Sequence, residues 1–156
     1  MDKALYAEKL GMLVANMQSL EVALRAFLSR AEDDLENKHV VVDLDNIKAG
    51  DMVQENAFTN YDTLKELIVK YNKSNRSDDY KIDDSLVKVR DALAHGRLSA
   101  KDFEMNPIRL LKFAKPTKTG KVRVELDNDL TKEWFKENIN LFRDAIMKVK
   151  NTGYLS

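Results

Sequence analysis

From Asp2 to about Leu35, the apolar residues Leu5, Leu10, Leu13, Val14, Met17, Leu20, Leu24, Phe27 and Leu28 recur mostly three or four positions apart. That spacing puts them on one stripe of a helix, because 3.6 residues complete a turn. A helix of about 30 residues is well beyond the usual length and suits a bundle or a dimer. Breakers are scarce throughout, with 5 Gly and 2 Pro in 156 residues. Helical periodicity therefore dominates the expected fold.

The length fits a single domain spanning residues 1–156. A hydrophobic share of 44% can fill a core, and a charged share of 33% solvates the surface. The 26 basic and 26 acidic residues cancel, which argues against a uniformly basic, histone-like surface. With no cysteine, a disulfide framework, a thiolate metal site and a cysteine nucleophile are excluded. Two histidines are too few for a histidine-rich metal cage. The first residues lack the basic-then-apolar order of a signal peptide, and no apolar run approaches the roughly 20 residues that span a bilayer. The expectation is a soluble, cytoplasmic protein without a membrane partner, a metal or a cofactor.

Residues 31–62 carry nine acids against Lys38 and Lys48 and read as an acidic connector, with a short strand at Val40–Val42. Thr59 or Asn60 is placed to cap a second helix to about Asn72. The polar run 73–79 is a loop. A third helix is expected from about Asp83 to His95, with Leu86, Val89 and Leu93 on one face and Gly96 ending it in a left-handed cap. Residues 108–114 and 121–126, joined by a Pro/Gly turn at 115–120, read as a β-hairpin. A final helix then starts at Asp129 or Thr131 and runs to about Lys150 with Trp134, Phe135, Ile139, Phe142, Ile146 and Val149 inside. The expected fold class is all-α, a four-helix bundle with a small hairpin inserted before the last helix.

Glycine loops for phosphate, nucleophile elbows and paired-histidine zinc motifs are absent. One segment stands out, Arg90-Asp91-Ala-Leu-Ala-His95-Gly96. Arg90 and His95 lie five apart near a helix end, and Asp91 precedes His95 by four residues, on the same stripe. Cleavage of RNA by its own 2′-hydroxyl needs proton transfers to and from oxygen and a cation against the charged phosphorane. Imidazole changes charge near neutral pH and suits the first task; guanidinium keeps its charge and forks onto phosphate oxygens. Asp91 is placed to orient the imidazole. The plainer reading is a cationic pair that favours a helix C-terminus.

This segment resembles the motif of the HEPN superfamily (higher eukaryotes and prokaryotes nucleotide-binding domains), an arginine, a polar residue, and a histidine after four to six intervening residues. The interval here is four, with Asp91 as the polar residue. The position on the third of four expected helices, the long first helix with Met17–Arg25, and the hairpin before the last helix extend the resemblance over the whole chain. The resemblance implies a homodimer in which two motifs face each other and form one metal-independent endoribonuclease site. Arg90 and His95 would then be catalytic with Asp91 in support, leaving a 2′,3′-cyclic phosphate or 3′-phosphate and a 5′-hydroxyl. It also implies a role in bacterial toxin–antitoxin or phage-defence systems, with any antitoxin or regulator a separate protein. The alternative is a non-catalytic HEPN module that binds a nucleotide, RNA or protein.

Charge distribution adds a candidate RNA surface. Between Ile108 and Glu125, Arg109, Lys112, Lys115, Lys118, Lys121 and Arg123 face Glu125 alone, and Arg97 lies just past the motif. Lys65, Lys70, Lys73, Arg76 and Lys88 add positive charge on the second and third helices and their loop. Such residues would release counterions from phosphates, or would equally serve to keep sheet edges from aggregating. Trp134 and the phenylalanines read as core, the scattered methionines as filler, and His39 has no partner pattern.

Overall fold

The computed structural model describes residues 2–36, 46–75, 77–100 and 107–153, with backbone alone at 33–36. The chain is mostly helical. Among the described residues are four helices, α1 (Lys3–Glu36), α2 (Leu64–Ser74), α3 (Ser85–His95) and α4 (Lys132–Asn151). Three short strands, β1 (Arg97–Ala100), β2 (Ile108–Phe113) and β3 (Val124–Asp129), form an antiparallel sheet in that order. None of these helices is long and apolar enough to cross a membrane. Val40–Val42, His39 and Arg76 lie outside the described residues.

The chain divides into two compact units. The first comprises Met1–Met17 and Asp84–Arg143, the second Gln18–Asp83 and Asp144–Ser156.

In the second unit, Leu20, Leu24 and Phe27 from α1 are buried, as are Leu64, Leu67, Ile68 and Tyr71 from α2. The Phe27 and Tyr71 rings meet edge to face with centroids 4.8 Å apart. Each large side chain withdrawn from water in this way contributes roughly 1.5–3 kcal/mol. The Asn72 amide grips the backbone of Ile82 from both sides, donating to its carbonyl at 2.7 Å and accepting from its N–H at 2.9 Å.

α2 starts later than the sequence suggests, and Arg25 supplies the reason. Its guanidinium donates to the carbonyls of Asn60 at 2.9 Å and Asp62 at 2.7 Å, and to the Asn60 side-chain oxygen at 2.9 Å. Asn60 is thereby held in a turn with Asn56, whose carbonyl accepts from the N–H groups of Thr59 and Asn60. With Thr59 and Asn60 so occupied, Thr63 takes the N-cap. Its N–H donates to the Glu66 carboxylate at 2.7 Å while its hydroxyl accepts from the Glu66 N–H, a complete capping box.

In the first unit, Leu13, Leu86, Ala92, Ile108, Leu110, Phe135, Ile139 and Phe142 are buried. Phe135 stacks edge-on with Tyr6 and Trp134, at 5.8 Å and 5.2 Å. Thr131 caps α4 through its hydroxyl, which accepts from the Trp134 N–H at 3.1 Å. Asp129, the other expected start, ends β3 instead. Trp134, Val89 and Leu93 are only half-buried, and Val14 is exposed.

The expected hairpin is two-thirds of a sheet. β2 and β3 are its arms, and β1 joins on the other edge of β2, with Arg97 opposite Leu111 and Ala100 opposite Ile108. β1 is four residues long and exposed along its whole length, so the polar–apolar alternation of Arg97-Leu98-Ser99-Ala100 buries neither face and is too short to mark a strand. Backbone pairing to β2 is what makes it a strand.

Gly96 also departs from expectation. Its φ of −74° and ψ of 173° are extended, so no left-handed cap forms. The glycine is required by close approach. A Cβ there would lie 2.2 Å from the Ala92 carbonyl oxygen, 2.7 Å from the Leu110 side chain and 3.1 Å from the Leu111 carbonyl. The end of α3 is pressed onto the middle strand, and only a residue without a side chain fits between them.

Candidate functional site

Gly96 alone separates the end of α3 from the first strand, and the motif and the basic strands lie in the same unit. Leu86 and Ala92 anchor α3 in the core. Arg90 and Asp91 are half-buried, and His95, in the last turn, is exposed. Arg90 donates to the Asp91 carboxylate at 3.1 Å. The second Asp91 oxygen lies 4.0 Å from the Lys112 ammonium on β2.

Asp91 does not orient His95. Its carboxylate is spent on Arg90 and Lys112, and His95 has no hydrogen-bond partner among the described residues. The sequence spacing is compatible with either partner, but the adjacent guanidinium and the cross-sheet ammonium supply charge as well as a hydrogen bond. The imidazole is left accessible to solvent, and the guanidinium of Arg90, five positions earlier, is held by the adjacent Asp91 carboxylate.

The basic strands are less free than their count suggests. Arg109 forks onto Asp127 with two hydrogen bonds, which hold the Asp127 carboxyl below its ordinary value. The pairing of β2 with β3 shifts after Lys112–Leu126 to Phe113–Val124, leaving Glu125 as the extra residue of an irregular register. Glu125 lies 3.4 Å from Lys112 and 3.8 Å from Arg123. Arg97 stacks over the Phe113 ring, 5.5 Å from its centroid, across two paired strands. Lys115, Lys118 and Lys121 stand exposed in the β2–β3 connection. There Thr117 and Lys121 close a turn through a 2.8 Å backbone hydrogen bond, and Gly120 takes a positive φ of 75°.

Asp127 is the residue that the sequence count missed, since a count ending at Glu125 stops two residues short of it. Strand alternation carries the signal: extending the second arm to Asp129 brings acids opposite the basic arm. Of the seven basic candidates, Arg109, Lys112 and Arg123 carry acidic partners, and Lys115, Lys118 and Lys121 form a cationic tip without an ion-pair partner among the described residues. Among the described residues no three histidine or acidic side chains gather closely enough to hold a metal ion.

Comparison with family models, with curated proteins and with solved structures finds no match for this chain.

Proposed function

We propose that the chain is a HEPN-type, metal-independent endoribonuclease that works as a homodimer, in which the helix ends bearing Arg90 and His95 from two copies face one another across one RNA strand. The observation that carries this reading is the combination at the end of α3: an exposed imidazole and a guanidinium pinned by a neighbouring carboxylate, on a helix anchored by Leu86 and Ala92. In the reaction, one imidazole takes the proton of the 2′-hydroxyl, whose oxygen attacks phosphorus. The 5′-oxygen leaves with a proton supplied by the second imidazole. Arg90 answers the extra negative charge of the phosphorane, and Asp91 is a positioning residue that fixes the guanidinium. The four helices are then read as a bundle, and Lys115, Lys118 and Lys121 as contacts to the RNA backbone.

The test is incubation of the purified chain with mixed RNA in excess EDTA, with analysis of the product ends and light scattering on the same sample. Cyclic phosphate and 5′-hydroxyl ends from a dimeric protein support the reading; a strictly monomeric mass at all salt concentrations removes the composite site. A second reading, a non-catalytic RNA- or protein-binding module, is favoured by one specific observation: among the described residues the imidazole has no acceptor to fix its tautomer.

A further inference from the structure

Away from the motif, the first unit holds a cavity of about 440 Å³ between the first turns of α1 and the N-terminal part of α4. Leu5, Met12 and Ile139 supply apolar lining, and Ile139 is buried. The polar lining is cationic: Lys9 from α1, and Lys132, Lys136 and Arg143 from α4, with the Asn140 amide beside them. No acidic side chain among the described residues lines the cavity. Glu133 and Glu137, on the same turns of α4, fall on other rows of the helix and take no part in it.

This arrangement works against the free protein. Lys132 and Lys136 are four apart on one stripe, where like charges repel. Lys132 is also the first residue of α4, at the positive end of the helix dipole. Lys132, Lys136 and Arg143 have no ion-pair partner among the described residues, while Lys9 pairs only with its neighbour Glu8, at 3.0 Å. An anion placed between α1 and α4 would relieve all these repulsions at once, and the apolar lining would hold a hydrocarbon body attached to it. The volume falls in the range of small-molecule sites, about 300–1,000 Å³.

The geometry points to a binding site in this cavity for a small soluble amphiphilic anion, a phosphate monoester on an apolar body. The phosphate meets Lys132, Lys136 and Arg143, whose guanidinium forks onto two of its oxygens, and the apolar body lies on Leu5, Met12 and Ile139. Among the described residues no aromatic ring lines the cavity to stack a nucleobase. This proposal is independent of the nuclease reading, because none of its residues belongs to the motif or to the strands.

The test is isothermal titration calorimetry with three probes below their micellar concentrations: n-octyl phosphate, inorganic phosphate and neutral n-octyl glucoside. The expected result is saturable one-to-one binding of octyl phosphate, at least tenfold weaker binding of inorganic phosphate, and none of octyl glucoside. The double variant Lys136→Gln, Arg143→Gln replaces two exposed side chains and should weaken octyl phosphate at least tenfold at unchanged melting temperature. Arg143→Lys alone should recover part of the loss. Equal binding of octyl and inorganic phosphate would overturn the apolar half of the proposal, and undiminished binding by the double variant would overturn its location. Retention on phosphatidic acid vesicles without binding of the monomer would show a membrane surface instead. A single-stranded RNA that loses affinity in the double variant, and that octyl phosphate does not displace, would assign the groove to nucleic acid.

Discussion

Arg90 and Asp91, adjacent in sequence, are joined by a 3.1 Å hydrogen bond, and the same carboxylate faces Lys112 on the middle strand. Asp91 thus ties the motif's arginine to the sheet. Both partners of the Arg90–Asp91 pair are about one-third exposed, so the pair adds little to stability. On the proposed nuclease reading, its value lies in holding the guanidinium still. Asp91→Asn should therefore leave the melting temperature within a degree or two and lower RNA cleavage about tenfold, the equivalent of one charge-assisted hydrogen bond at ~1.5 kcal/mol. Cleavage kinetics beside a melting curve measure both. Wild-type cleavage by Asp91→Asn would remove the positioning role.

Gly96→Ala should destabilise the protein by about 3 kcal/mol, because the new Cβ meets two carbonyl oxygens and the buried Leu110 side chain at less than contact distance. Urea unfolding measures the effect. A variant as stable as the wild type would contradict the close approach of α3 to β2.

Two tyrosines should respond differently to loss of their hydroxyls. The Tyr71 hydroxyl donates to the Tyr80 carbonyl at 2.9 Å, and burial pushes its pKa up to about 12. Tyr71→Phe leaves that carbonyl without its donor and should cost about 1–2 kcal/mol. The Tyr6 hydroxyl is buried without a partner among the described residues, and burial likewise raises its pKa. Tyr6→Phe removes an unsatisfied group and should be neutral or stabilising by up to about 1 kcal/mol. Chemical denaturation of the two single variants decides the signs.

The helices were legible because their apolar spacing survives in the sequence: α1 and α3 fall within two residues of the bounds read from periodicity, and α4 starts one residue after Thr131 and three after Asp129, the two starts the sequence offers. What was not legible depends on partners distant along the chain. β1 exists through pairing with β2, and the start of α2 depends on Arg25, which holds Asn60 from 35 positions earlier. Gly96 does end α3, but through close approach to β2 and not through a left-handed cap, and close approach leaves no trace in local sequence. The motif could be picked out by residue type and spacing. The partner of Asp91 could not, because Lys112 reaches it only once the sheet is folded against α3.

The free cations at the tip should govern RNA affinity, and the paired ones should not. Lys118→Ala with Lys121→Ala should weaken single-stranded RNA binding and reduce the salt slope by about 1–1.5, at roughly 0.7 per lost phosphate contact. Arg109→Ala, whose cation is already held by Asp127, should change the slope far less. Fluorescence anisotropy across a salt series separates the two. Equal slopes for the tip variant and the wild type would reduce the tip to a solvated edge.

The central claim is that His95 and Arg90 cleave RNA without a metal, and cleavage in excess EDTA tests it most directly. Wild type, His95→Ala and Arg90→Ala are compared on one RNA, with melting curves to confirm folding. Loss of a positioned imidazole should lower the rate about 10²–10⁴-fold. Loss of the guanidinium should lower it on the order of 10²–10³-fold, by analogy with removal of an oxyanion donor. Metal-independent cleavage that collapses in both folded variants is the predicted result; cleavage that stops with EDTA, or that survives His95→Ala undiminished, would contradict the account.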